Sequence, residues 1–140
     1  MQDFTVEMRV KIADLSKLYH QMVGNWTSRN FQFTYRGVSG NYFGFEDTPG
    51  WVISPYSPEL NTYMHIAFVR HNNVFFCYKN GVKAQLSRLP TDEVRRTENI
   101  KIFQVYGSTG YSLIGGLYDV RFSQSAVYTD NFEINPLPLV

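Results

Sequence analysis

Apolar and polar residues alternate without interruption from Phe4 to Ile12. Phe4, Val6, Met8, Val10 and Ile12 fall on one parity, and Thr5, Glu7, Arg9 and Lys11 on the other. A period of two predicts a β-strand with one buried and one wet face, because a helix would scatter these side chains around its circumference. The same pattern recurs in shorter runs. Asp14–Lys17 reads as a polar turn, Leu18–Trp26 as a second strand with weaker alternation, and Phe31, Phe33 and Tyr35, separated by Gln32 and Thr34, as a third. Gly37–Gly40 is a turn ahead of a short strand at Tyr42–Glu46, and Thr48-Pro49-Gly50 is a turn ahead of Trp51–Ile53. Ser54–Leu60 contains two prolines and is loop.

Two hairpins follow. Met64–Arg70 and Val74–Lys79 are joined by His71-Asn72-Asn73, and Asn80-Gly81 turns the chain again into Val82–Leu86. Asn-Gly between alternating runs is a strong signal for a tight hairpin. By the same period-two reading, Ile66, Phe68, Phe76 and Tyr78 are expected to join the five N-terminal apolar residues in one core. Arg88–Asn99 is the longest polar stretch, with room for a helical turn. Ile100–Tyr106, Tyr111–Ile114 and Leu117–Phe122 read as the remaining strands.

About ten short strands without βαβ alternation, heptads or internal repeats indicate an all-β sandwich or barrel. The 140 residues suit one domain, residues 1–140, of which 131–140 form an extended, proline-containing tail. Asn135-Pro136-Leu137-Pro138 cannot pair as a central strand.

Composition agrees with this reading. Eleven Phe, ten Tyr and two Trp favour strands. A formal net charge of +1 gives no steering toward nucleic acid or an anionic membrane. No run of like charge exceeds a pair such as Arg95-Arg96, which lies among Asp92, Glu93 and Glu98 and reads as a solvated loop. Cys77 is the single cysteine, so no internal disulfide forms, and its strand setting marks it as a small buried hydrophobe. The sequence has neither an apolar run of roughly 18 residues nor a signal-peptide pattern at Met1–Phe4, which leads to the expectation of assembly in a reducing cytosol and no membrane insertion.

No constellation for catalysis, cofactor or metal is evident. Glu46-Asp47 and Asp92-Glu93 are adjacent pairs placed at turns, and neighbours on a strand point to opposite faces. Calcium needs more converging oxygens than Glu46 and Asp47 supply. Asp119 and Arg121, two apart on a strand, are expected to share a face and form a structural pair. Aromatic residues near turns are the better lead, since such rings stack on sugars and anchor protein interfaces. Tyr35 is one of them, and Trp26, Tyr42, Trp51, Tyr56 and Tyr63 form a candidate binding rim.

Several stretches resemble laminin G-like, concanavalin A-like lectin/glucanase domains. Asp3–Lys11 resembles the family's early Phe-Thr-Ile-Glu strand. Met64–Arg70 is similar to its Trp-His-Val-Ala-x-x-Arg strand, with Met64 in place of Trp, and Val74–Gly81 to its Leu-Tyr-Val-Asn-Gly hairpin. Gly115–Phe122 is similar to Gly-x-Ile-Asp-Asp-Val-Arg, with Tyr118 in place of the first Asp. Ser125–Phe132 followed by Pro136 resembles the Ala-Arg-Tyr-Thr-x-Asn-Phe-x-Pro-Pro ending of such domains in bacteriophage virion proteins. The resemblance implies an antiparallel two-sheet jelly roll. It further implies a non-catalytic structural or attachment module of a phage tail fibre, spike or capsid decoration, made in the bacterial host cytoplasm. Its partners would be other virion subunits or further copies of itself, with a bacterial surface glycan as a further contact. The alternative is a carbohydrate-binding module of a secreted or cell-surface protein. A glycosidase comes third, because the clustered Glu/Asp strand motif is missing. Such sandwiches usually place one or two strands ahead of the Phe-Thr-Val-Glu type strand, so Leu117–Phe122 is expected near an open sheet edge; the chain is then a piece of a longer protein, or the edge is covered by the proline-containing tail or by a neighbouring subunit, the last being the favoured expectation.

Overall fold

The alternating runs become strands β1 (Phe4–Ile12), β2 (Tyr19–Asn25), β3 (Phe31–Arg36), β4 (Tyr42–Asp47) and β5 (Gly50–Ile53), then β6 (Met64–His71), β7 (Val74–Lys79), β8 (Val82–Gln85), β9 (Lys101–Ile102) and β10 (Gly115–Ser123). This computed structural model describes residues 2–16, 19–25, 31–36, 42–47, 50–86, 101–102 and 112–134. No helix occurs among the described residues. Trp26, the turns at 37–40 and 48–49, the polar stretch 88–99 with Arg95-Arg96, and the proline tail 135–138 lie outside them. So does residue 111; Ser112 makes an isolated bridge to Gln21, and residues 113–114 are not strand, so β10 starts only at Gly115.

The strands form two five-stranded sheets. Sheet A runs β10-β1-β6-β7-β8 and sheet B runs β5-β4-β3-β2-β9, with every strand pair antiparallel. The core between them holds Phe4, Val6, Met8, Val10 and Ile12 of β1, each no more than 6% exposed, together with Met22, Phe43, Ile66 and Phe68. Burying one such side chain is worth about 1.5–3 kcal/mol. The all-β, two-sheet sandwich expected from the sequence is therefore the fold.

Two details differ from the expected pattern. Phe75 and Cys77, not Phe76 and Tyr78, point from β7 into this core. The cause is the length of the first hairpin turn. A three-residue turn at 71–73 would pair Phe68 with Phe76. The turn is instead Asn72-Asn73, both at positive φ (50° and 64°), with His71 paired to Val74 and Phe68 to Cys77. One residue of turn length moves a whole strand onto its other face. The second difference is that β1 has no wet face along its first half, because Thr5 and Glu7 are only 1% and 6% exposed. Phe76 and Tyr78 belong to a second apolar cluster on the outer side of sheet A, with Ala67, Val69, Ala126, Tyr128 and Phe132.

Cys77 is fully buried, and burial pushes its thiol pKa up to about 12. It is expected to be inert toward thiol reagents at pH 8 and to react stoichiometrically in denaturant. Rapid labelling of the native protein would contradict this placement.

Candidate functional site

The outer face of sheet A is crossed by a strap, residues 124–132, which leaves β10 and passes over β1, β6, β7 and β8. At β1, Thr5 Oγ1 donates to Ser125 O (2.8 Å) and accepts from Val127 N (2.9 Å). Over β6 and β7, Tyr128 and Phe132 stack on one another with centroids 3.7 Å apart and planes 9° apart. Both rings also pack against His65 and Tyr78. Tyr78 Oη donates to Tyr128 O (3.2 Å). At the far end, Phe132 N donates to Gly81 O (3.0 Å), Lys83 N donates to Asn131 Oδ1 (2.8 Å), and Lys83 Nζ donates to Thr129 O.

One carboxylate is sealed beneath the strap. Glu7 Oε2 accepts from His65 Nε2 (2.8 Å) and from Tyr128 Oη (2.6 Å). The His65 hydrogen bond is the main cause that holds Glu7 below its ordinary pKa, with Tyr128 and Arg121 adding to it against the opposing effect of burial. Burial and the bond to Glu7 push the Tyr128 phenol upward, so it stays protonated and donates. Burial also pushes Tyr78 up, to about 12. Glu7 and His65 are buried, and the bond from Tyr128 ties the strap to β1.

A shallow, open cleft of about 560 Å³ lies where the strap meets β8, lined by Phe76, Lys83, Ala84, Gln85, Asp130 and Asn131. Lys83 Nζ sits 4.0 Å from the centroid of the Phe76 ring. The lining thus combines two planar amides, one carboxylate and one ammonium beside the Phe76 ring. Among the described residues, no three His, Cys, Asp or Glu side chains gather as a metal site.

The residues singled out from the sequence lie elsewhere. Trp26 is outside the described residues, while Tyr42 and Trp51 are the first residue of β4 and the second of β5, in the strands expected for them. Tyr56 is half-buried against the main core, and its hydroxyl donates to Val82 O of β8 (2.7 Å). Tyr63 is 44% exposed and meets Tyr118 edge-on at 4.8 Å, beside Lys11. Tyr56 and Tyr63 therefore stand at opposite margins of sheet A and do not make one rim. Asp119 and Arg121 meet through two hydrogen bonds of 2.8 and 2.9 Å, but not because of strand parity. Opposite Met8 the register skips, with Glu7 paired to Arg121 and Arg9 to Tyr118, and Asp119 has φ 54°. This bulge puts Tyr118 and Arg121 on the outer face together.

A laminin G-type family model, described as the concanavalin A-like lectin/glucanases superfamily, matches residues 1–130. The chain belongs to this superfamily. Among curated proteins, none shows significant sequence similarity. Solved structures share the fold at low identity. A Bacteroides ovatus protein provisionally named carbohydrate-binding superposes with TM-score 0.76 at 16% identity, over 91% of this chain and 38% of its own. Domain 4 of AbnA, a GH43 extracellular arabinanase from Geobacillus stearothermophilus, in complex with arabinotriose, gives 0.69 at 17%, over 91% and 63%. A heptameric SAP-like pentraxin from Limulus polyphemus gives 0.62 at 17%, over 91% and 66%. The chain thus spans less than two thirds of each of these proteins.

Viewed as a concanavalin A-like domain, the chain places its motif residues close together. His65 of the Met64–Arg70 strand, Arg121 of the Gly115–Phe122 strand with its partner Asp119, and Tyr128, Asn131 and Phe132 of the ending gather around Glu7 and the strap. Sequence reasoning missed Glu7, His65 and the cleft residues. The available signal was a glutamate and a histidine inside two strands otherwise rich in core residues.

Proposed function

We propose that this chain is a carbohydrate-binding module without catalytic activity of its own, and that its glycan lies in the cleft between β8 and the strap. The composition of that cleft carries the reading. Adjacent hydroxyls of a sugar present paired donors and acceptors, which planar amides and a carboxylate match two at a time. Gln85, Asn131 and Asp130 supply those groups, and the Phe76 ring, beside the Lys83 ammonium, supplies apolar surface for the C–H faces of the sugar. Asp130 is the one carboxylate in the lining. Glycoside hydrolysis ordinarily requires two flanking the bond, which supports binding without cleavage.

The superfamily and the described neighbours, one named carbohydrate-binding and one holding arabinotriose, support the same reading. Attachment in a phage particle rests on the resemblance of the C-terminal stretch alone, so the glycan reading takes precedence. Titration calorimetry with arabinotriose, cellotriose, chitotriose and sialyllactose tests it. Binding of at least one is expected, without release of reducing ends. Asp130→Ala is expected to weaken that binding about tenfold or more, the loss of roughly 1.4 kcal/mol. A folded chain that binds none of the four sinks the proposal.

A further inference from the structure

The cleft has two walls of different kinds. One is β8, a strand of sheet A. The other is Asp130 and Asn131, which lie on the strap between its two anchoring rings, Tyr128 and Phe132. Nothing in a strand ladder holds this second wall. Among the described residues its attachment is the stacked ring pair packed on His65 and Tyr78, the hydrogen bonds to Gly81, Lys83, Thr5 and Tyr78, and the Glu7–Tyr128 bond. Glu7 itself lies in β1 beneath the strap, 6% exposed, and is not among the residues that line the cleft.

We propose that Glu7 is a positioning residue for the cleft: by holding Tyr128 it holds Asp130 and Asn131 in place, and the strap opens and closes as a unit over a sandwich that stays folded. This rests on the glycan reading and adds its regulation. The strap is suited to act this way. Its contacts are with the outer cluster, which is separate from the inter-sheet core, so losing them exposes Tyr78 and Phe76 without separating the sheets. A ligand that needs Asp130 and Asn131 in place binds only the closed strap. Occupancy therefore protects the strap by the factor 1 + [L]/Kd, which is about 100-fold when ligand is at 100 times its Kd.

Hydrogen exchange at three amides reads the strap directly: Val127 N–H on Thr5, Phe132 N–H on Gly81 and Lys83 N–H on Asn131. Glu7→Gln removes the charge that strengthens both donated bonds. It is expected to speed exchange at these three amides about tenfold while the β6–β7 ladder keeps its protection, and to weaken the tightest-binding saccharide of the panel by a similar factor. Tyr128→Phe, which keeps the ring stack, is expected to move both quantities in the same direction. Asp130→Ala is expected to weaken binding and leave the exchange of the three amides unchanged. Unchanged strap exchange in Glu7→Gln, or acceleration shared equally by the β6–β7 ladder, overturns the proposal. So does faster strap exchange with unaltered affinity, because the strap would then not be a wall of the site. A wild-type chain that binds no saccharide overturns the glycan reading and the ligand-coupled half with it, while independent strap opening is decided by exchange alone.

Discussion

Gly81→Ala is expected to destabilise the protein by about 4 kcal/mol and to lower Tm by roughly 10–15 °C for a domain of this size. Two independent costs add. Gly81 has φ +79°, the second position of the Asn80-Gly81 turn, where an L side chain costs about 1–2 kcal/mol. A Cβ at Gly81 would also stand 1.9 Å from Phe132 O and 3.0 Å from Phe132 C. These are backbone atoms, so no rotamer change relieves the overlap and the strap must move away. Moving it breaks the bond from Phe132 N to Gly81 O and uncovers the Phe132 ring, at about 1 kcal/mol for the bond and about 2 kcal/mol for the ring. A double-mutant cycle with Phe132→Ala separates the two costs. If the strap is the source of the second, and Phe132→Ala already releases it, Gly81→Ala then costs only its turn strain, and the coupling energy is about 3 kcal/mol. Strict additivity would mean that Phe132 O yields without undocking, and would sink this account.

The contrast between this turn and the preceding one explains what the sequence made legible. Asn80-Gly81 announces its own geometry, and its hairpin is found as expected. His71-Asn72-Asn73 does not, because Asn tolerates positive φ without requiring it, so the turn reads as two or three residues with equal ease. β7 carries large apolar side chains on both parities, with Phe75 and Cys77 against Phe76 and Tyr78. Its own pattern could not correct the register. β1 was legible in its inward parity because five apolar residues agree. Its outward parity misled, because Thr5 and Glu7 are polar yet buried. A polar residue satisfied by a distant segment looks, in sequence, like one satisfied by water. The strap itself lies 121 residues from Glu7 along the chain at Tyr128. It has no alternation, and its aromatic and polar residues read as a tail. The same limit hid the cleft, half of which is strap. Exposed aromatics near turns drew attention instead, and Tyr56 shows why that lead is weak: a tyrosine beside two prolines can still place its ring on the core and its hydroxyl on a strand carbonyl.

Replacing Glu7 produces the second large effect, and pH distinguishes its origin. In Glu7→Ala, His65 Nε2 and Tyr128 Oη lose the acceptor that each uses beneath the strap. Leaving two buried donors unsatisfied costs about 1–3 kcal/mol each, so a loss near 3 kcal/mol is expected. Glu7→Gln retains an oxygen acceptor and should lose less. The wild-type carboxylate is held below its ordinary value of 4.5, chiefly by the His65 hydrogen bond. Because the folded pKa lies below the unfolded one, the unfolded chain binds more protons between the two values, and stability rises with pH across that window. The Glu7 contribution is accordingly complete above pH 4.5 and disappears as pH falls through the lower folded value. Denaturant unfolding of wild type and Glu7→Gln from pH 7 to pH 3 should give curves well separated at neutral pH that draw together below pH 4.5. Tyr128→Phe removes one donor and should narrow the separation without abolishing it, because His65 remains the larger influence. Curves that stay parallel down to pH 3 would mean that the Glu7 charge adds nothing to folding, and that the strap is held by its stacked rings alone.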